Sequence, residues 1–330
     1  MGSPRTTGRM GPAAAAPREA PTGPSRLPVG LGALGGVAIA FSGIFVRLAG
    51  VTPTTSAVFR CLYALPVLAV LAARERRAGG PRGPGQRRLS LLAGGAFAVD
   101  LVCWHYAIDA VGAGLATVLA NQQVAIVGLV AWVALGERPS RATLAAIPLM
   151  LFGVVLISGV LGTGAYGDNP VLGSVLGLIA AVGYAGFLLL LRAANRSQRH
   201  RAAALFDATL IGAIGALTAG LVLGNVDLVP TWPAHGWLMV LALNSQVIGW
   251  MLISYALPRL PAVVTSVLLL LQPASAVLLG MVLLDEAPSG VQLVGVGLVL
   301  AGIVVATASD SAVRRRPDGA EAEARRHRPA

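Results

Sequence analysis

The chain of 330 residues contains no lysine, only 14 acidic residues against 25 arginines, and two cysteines. Aromatics make up 5% and charged residues 12%, where soluble domains carry about a quarter charged. Each shortage excludes something. Two cysteines inside apolar runs, Cys61 and Cys103, support neither a disulfide framework nor a metal site. The histidines apart from His105 are His200, His235 and His327, in loops or a tail, so no metal cluster assembles and no metal or other cofactor is expected. No Ser-His-Asp order with a nucleophile elbow is present, which removes hydrolase chemistry and the case for an enzyme. The net charge of +11 could suggest nucleic acid, but the arginines form no aromatic-interleaved surface, so no nucleic-acid partner is expected.

What is abundant is apolar sequence: 55% hydrophobic residues and a mean hydropathy of +0.75. Apolar runs near 29–49, 55–73, 89–109, 113–135, 141–161, 171–193, 202–223, 236–257, 262–284 and 290–308 approach the roughly 20 residues that cross a bilayer as helix. The reading is an all-α membrane protein with ten transmembrane helices and a lipid bilayer as its surroundings. Placing both termini in the cytoplasm puts 23 of the 25 arginines on that side, all but Arg47 and Arg60, which is the positive-inside asymmetry. Residues 1–28 and 309–330, rich in Pro, Gly, Ala and Arg, read as unfolded cytoplasmic tails.

The chain also repeats itself. VALGERPS at 133–140 returns as VLLDEAPS at 282–289, so that Glu137 and Glu286, and Pro139 and Pro288, are separated by 149 positions. The same offset aligns Tyr106 with Tyr255, Gln123 with Gln272 and Gly153 with Gly302. Residues 29–161 and 171–308 then form two repeats of five spans. Five is odd, so the second repeat must cross the membrane in the opposite sense, an inverted repeat of the kind on which many secondary carriers are built. Glu137 and Glu286, each next to a proline at a span end, read as the close of one span and the cap of the next hairpin rather than as cargo contacts.

Charged and polar groups inside the spans need a partner, a wet cavity or a function. With a rise of about 1.5 Å per residue, Arg60 and Asp100 lie roughly 8 Å and 13 Å below the outer face, close enough in depth to form an ion pair or to serve substrate together. Asp207 reads as a side chain snorkelling towards the cytoplasmic mouth. His105 either hydrogen-bonds a neighbouring carbonyl or titrates, and with Asp100 it is the candidate for coupling to protons. Asn121, Gln122 and Gln123 interrupt span four, and Asn244, Ser245 and Gln246 interrupt span eight; at least one of each triplet is expected at a cavity. The candidate cavity residues are Arg60, Asp100, Trp104, His105, Asn121, Gln123, Asn244, Gln246, Trp250 and Gln272, with Tyr184 as a further aromatic. Pro273 lacks an N–H and weakens span nine, which makes it the candidate hinge.

Taken in order, Arg47, Pro53 and Arg60, Gly136-Glu137-Arg138 closing span four, Gly153, Gln272-Pro273 and Asp285-Glu286 resemble the EamA-type ten-helix members of the drug/metabolite transporter superfamily over about residues 29–308. That resemblance implies an inner-membrane carrier, often an exporter of amino acids, other metabolites or toxic compounds. It implies alternating access around a central cavity, small molecules as partners and no enzyme activity. The family usually carries a proline in span four where this chain has Val124, opposite Pro273, so a kink is expected in span nine. Rival readings are a membrane enzyme, which would need a catalytic cluster, and a channel, which would need repeated pore charges.

Overall fold

Helices start and stop where local chemistry dictates. Thr52, Ser140 and Asn169 each accept the backbone N–H three residues ahead, and Pro53, Pro84 and Pro170 open helices at positions where the missing N–H costs nothing. Gly50 and Gly224 end helices in the left-handed conformation, with φ of 61° and 66°. The computed structural model describes residues 26–135, 140–161, 163–195, 199–256, 259–260 and 262–307. The VALGERPS residues Gly136, Glu137, Arg138 and Pro139 lie outside the described residues, as do residues 1–25 and 309–330 of the two expected tails, whereas residues 26–28, expected as tail, open the first helix.

Among the described residues all regular structure is helical. The elements are α1 (Arg26–Ala40), α2 (Ser42–Ala49), α3 (Pro53–Gly79), α4 (Pro84–Val111), α5 (Ala113–Ala120), α6 (Gln123–Leu135) and α7 (Arg141–Ile157). They continue with α8 (Pro170–Ala194), α9 (Arg201–Leu223), α10 (Ala234–Leu241), a π-helical stretch at Ala242–Gly249, α11 (Trp250–Ala256), α12 (Ala262–Leu283) and α13 (Gly290–Thr307). Eight helical segments are long and apolar enough to cross a membrane, and Arg141–Ile157 and Leu270–Leu283 are shorter apolar helices. Large apolar side chains point outward along them, Val222 at 80% exposure and Val282 at 75%, as lipid contact requires and water does not tolerate over large areas.

The two polar triplets coincide with breaks in helical regularity. Span four is split by a tight turn at Asn121–Gln122, and the second triplet lies in the π-helical stretch. Span four is therefore interrupted without a proline at position 124. Asn121 uses its own Nδ2 to hold the Thr117 carbonyl at 2.8 Å, and buried side-chain donors of this kind are what allow irregular backbone inside a membrane.

α7 and α13, which the 149-residue offset relates, run antiparallel to one another. Thr143, at the start of α7, donates to the Ala306 carbonyl near the end of α13 at 3.4 Å. Gln292, at the start of α13, donates to the Ile157 carbonyl at the end of α7 at 3.1 Å. Thr143 and Gln292 are 149 apart, and so are Ile157 and Ala306: one bond is the other with the repeats exchanged. The glycines of this pair behave in the same way. A Cβ on Gly153 would lie 2.7 Å from the Gly295 carbonyl oxygen and 2.9 Å from Val299, while one on Gly302 would meet Met150 at 2.2 Å and the Ala146 carbonyl at 3.4 Å.

These contacts set a test of packing. Gly153→Ala should cost about 1–3 kcal/mol, because the new methyl meets backbone that cannot swing away. Gly297→Ala, with nothing within 4 Å of the new Cβ, should be neutral. Thermal unfolding of the two variants in detergent, followed by size-exclusion profile, would contradict the packing if both melted alike.

Candidate functional site

A cavity of about 40 Å³ lies at the centre of the bundle, bordered by Ser42, Arg60, Asp100, Trp104, Asn121, Trp250 and Gln272 among others. The elements that bring these residues together do so by close backbone approach. Gly183 lets α8 reach α4, since a Cβ there would stand 2.7 Å from the Asp100 amide nitrogen. Gly94 does the same for α9, with a Cβ 2.7 Å from the Ala208 carbonyl. α4 is thereby clamped between α8 and α9 at the level that carries Asp100.

Arg60, 4% exposed, is held from two sides. Its Nε donates to Gln246 Oε1 at 3.2 Å, and Gln246 Nε2 donates in turn to Thr209 Oγ1 at 3.0 Å. Its guanidinium lies over the Trp104 ring at 5.6 Å, a cation–π contact that strengthens where water is scarce. Both anchors leave the terminal nitrogens without a hydrogen bond among the described residues. Asp100, 8% exposed, has neither a hydrogen-bond nor an ion-pair partner among the described residues. Trp250 Nε1 and Ser42 Oγ are buried without partners as well, and both residues border the cavity. An arginine and an aspartate that make no ion pair with each other thus border one small space together with unused donors. Unpaired buried polar groups are expensive to leave in this condition, and a ligand with a positive and a negative end would satisfy them together.

The sequence as a whole can now be set against known proteins. The EamA-like transporter family matches residues 26–159 and again residues 171–308. The chain belongs to that family. As an EamA-like protein it is a membrane transporter of the drug/metabolite transporter superfamily, a group of carriers rather than typical enzymes. No curated protein matches the chain. A solved crystal structure of a protein matches 85% of this chain and 98% of its own length, with a TM-score of 0.56 and 19% identity, a likeness that concerns the fold.

Within the EamA-like bundle the expected residues separate into groups. Arg60, Asp100, Trp104, Asn121, Trp250 and Gln272 border the central cavity, as does Tyr184. Gln123 is buried but does not border it, and its neighbour Gln122 reaches the Met150 carbonyl at 3.4 Å. No member of the second triplet borders it either: Asn244 and Ser245 donate to the Ala38 carbonyl at 2.7 and 3.0 Å, and Gln246 stands behind Arg60 as its anchor. His105 turns away, its Nδ1 2.6 Å from the Leu101 carbonyl, which is the carbonyl-bonded alternative. Thr117, Ser42 and Phe97 border the cavity without having been read as candidates. Thr117 and Ser42 are single hydroxyls in otherwise apolar runs, and nothing in such a run distinguishes them.

One alternative drops out and two expectations need correction. Arg60 and Asp100 do not form an ion pair: among the described residues the pairs are Arg47–Asp109 at 3.9 Å and Arg82–Asp207 at 2.5 Å. Matched depth fixed their height on the two helices but not their direction. Asp207 does not snorkel; it is 6% exposed, bound by Arg82 from the α3–α4 connection and by Ser90 Oγ at 2.9 Å. Glu286, 3% exposed, caps no following hairpin. Its carboxylate accepts the backbone N–H of Ala113 at 2.5 Å and of Gly114 at 3.0 Å, closing the N-terminus of α5 in the other repeat.

Proposed function

We propose that this chain carries a small zwitterionic metabolite of the amino-acid type across an inner membrane by alternating access, as an exporter or exchanger. In this reading ten spans form two inverted five-helix repeats with both termini in the cytoplasm. The antiparallel course of α7 and α13, the exchanged Thr143 and Gln292 bonds and the arginine asymmetry support it. The observation that carries the substrate class is the pair Arg60 and Asp100, which share one buried cavity without meeting. The substrate carboxylate takes the free edge of the Arg60 guanidinium, its ammonium takes Asp100, and Trp104, Tyr184 and Trp250 enclose the side chain. Asp100, the unpartnered carboxylate, is also the group placed to exchange a proton with the cavity, whereas His105 lies outside it.

A cavity of about 40 Å³ holds two or three waters, not a metabolite, so binding requires the helices to part at one end. Both ends of the α3–α9 pair are tied. Thr54 Oγ1 meets Asn225 Oδ1 at 2.8 Å at one end, and Glu75 accepts the N–H groups of Ala202 and Ala203 at 3.0 Å each at the other. In this mechanism the two ends open in turn, with Pro273 in α12 as the candidate hinge.

Counterflow tests the proposal. Proteoliposomes containing the full chain and loaded with unlabelled L-alanine should take up labelled L-alanine faster than empty liposomes do. Ethylamine and propionate, each carrying one of the two charges, should compete about tenfold less well or worse, the equivalent of one charge-assisted bond. No accelerated exchange of any zwitterion by folded protein, or equal competition by ethylamine or propionate, would overturn it.

A further inference from the structure

Arg60 is fixed by a chain of two hydrogen bonds whose directions the chemistry dictates. Its Nε–H can only donate, so the atom of Gln246 that meets it at 3.2 Å is the carbonyl oxygen Oε1. The amide NH2 of Gln246 is thereby turned to Thr209 Oγ1 at 3.0 Å, where the hydroxyl accepts. Gln246 and Thr209 are fully buried, so water does not compete for these bonds, and both are strengthened by the low local dielectric. The backbone that carries Gln246 is itself tied. Asn244 and Ser245 donate to the Ala38 carbonyl of α1, while the next residue reaches Arg60 on α3 and Thr209 on α9. All three belong to the π-helical stretch, an irregularity frequent at functional sites.

The contacts that hold Arg60 in this way are neutral: an amide oxygen at Nε and the Trp104 indole over which the guanidinium lies. No acidic side chain pairs with it within 4 Å among the described residues. A carboxylate at position 246 would grip Nε equally well and cancel the charge. We propose that Gln246, seated on Thr209, is the positioning residue that decides the ligand class of the central cavity: it orients Arg60 without neutralising it, and so selects ligands that bear a carboxylate. This role rests on the central cavity being the transport site. A carboxylate meets the Nη edge of a held guanidinium through two parallel bonds, a match that is lost when the group turns freely about its stem.

Two substitutions separate charge from position. Gln246→Glu keeps the geometry, because its carboxylate accepts from Arg60 Nε and from the Thr209 hydroxyl, which can donate as well as accept. In counterflow by the full chain in proteoliposomes it should raise the half-saturating concentration of L-alanine about tenfold, and the half-inhibiting concentration of propionate by as much, while that of ethylamine stays within about twofold. Thr209→Val keeps the shape and removes the acceptor, so half-saturating L-alanine should rise about threefold, and Thr209→Ser should behave as the parent. Position is also read without ligand, on protein labelled with 15N-arginine in lipid nanodiscs. The Arg60 Nε–H resonance, identified by its loss in Arg60→Lys, should exchange with deuterium about tenfold faster in Thr209→Val than in the parent. Propionate and ethylamine weakened alike in Gln246→Glu, or neither weakened, would overturn the proposal while the parent's L-alanine exchange leaves the central reading in place. An Nε–H that exchanges alike in Thr209→Val and the parent would overturn it too. A parent protein that exchanges no zwitterion, with its Nε–H protected as expected, would sink the central reading and the selectivity with it.

Discussion

Asp100→Asn is expected to leave a folded protein that has lost exchange of zwitterions by about one to two orders of magnitude. The carboxylate makes no ion pair within 4 Å among the described residues, so removing its charge relieves its desolvation, while Arg60 keeps its bond to Gln246 and its place over the Trp104 ring. What disappears is the charge-assisted contact with a substrate ammonium, worth about 1.5–3 kcal/mol. Arg60→Lys should fall by a similar factor for a different reason: an ammonium cannot donate to Gln246 and present a planar edge to a carboxylate at once. The double variant Arg60→Gln with Asp100→Asn decides between roles. Were the two residues a structural ion pair, removing both charges would restore exchange; as the two ends of a zwitterion site, they leave the double variant folded and inactive. Folded yield by size-exclusion profile and counterflow, read on the same preparations, separate these outcomes.

Glu286→Ala is expected to have the largest effect on stability, about 3–5 kcal/mol. The substitution strips the acceptors from two buried N–H groups at the first turn of α5, where the helix dipole also favours a negative charge. The surroundings cannot close over the gap. Gly280 and Gly112 are places where a Cβ would stand 2.3 and 2.9 Å from the carboxylate oxygens, so the backbone is shaped around this side chain. Glu286→Gln keeps one acceptor oxygen and should lose roughly half as much. Thermal unfolding in detergent checks the order; an alanine variant that melts with the parent protein would contradict the capping role. Because α5 leads into Thr117 and Asn121 at the cavity, a destabilised cap should also weaken exchange in whatever protein remains folded.

Much of this was legible in the sequence because it depends on identity along the chain. The 149-residue offset marks Gly153 and Gly302, and Thr143 and Gln292, as equivalent positions, and the structure finds each pair in mirrored contacts. Polarity in an apolar run flagged Asn121 and Gln246, and the backbone irregularities lie at these points. What the sequence withheld is direction around a helix and reach between distant segments. Of the neighbours Trp104 and His105 only the first borders the central cavity, a distinction that needs the rotation of α4 to be known. The partners of Asp207 and Glu286 come from segments more than 100 residues away, and no local pattern points to Arg82 or to the Ala113 amide. Val124 in place of a proline left a kink in span four in doubt, yet helical regularity breaks at Asn121–Gln122, where the Asn121 side-chain amide donates to the Thr117 carbonyl.

Alternating closure of the α3–α9 pair is the core of the account, and crosslinking its two ends tests it most directly. In a background with Cys61 and Cys103 replaced, Thr54→Cys with Asn225→Cys joins one end, and Gly79→Cys with His200→Cys joins the other, where a Cβ at Gly79 would lie 3.3 Å from His200 Nε2. The account predicts that a short thiol crosslinker at either end alone reduces L-alanine counterflow to the level of protein-free liposomes, and that a cleavable crosslinker restores it when cut. Counterflow that continues at the uncrosslinked rate with both ends joined would contradict it.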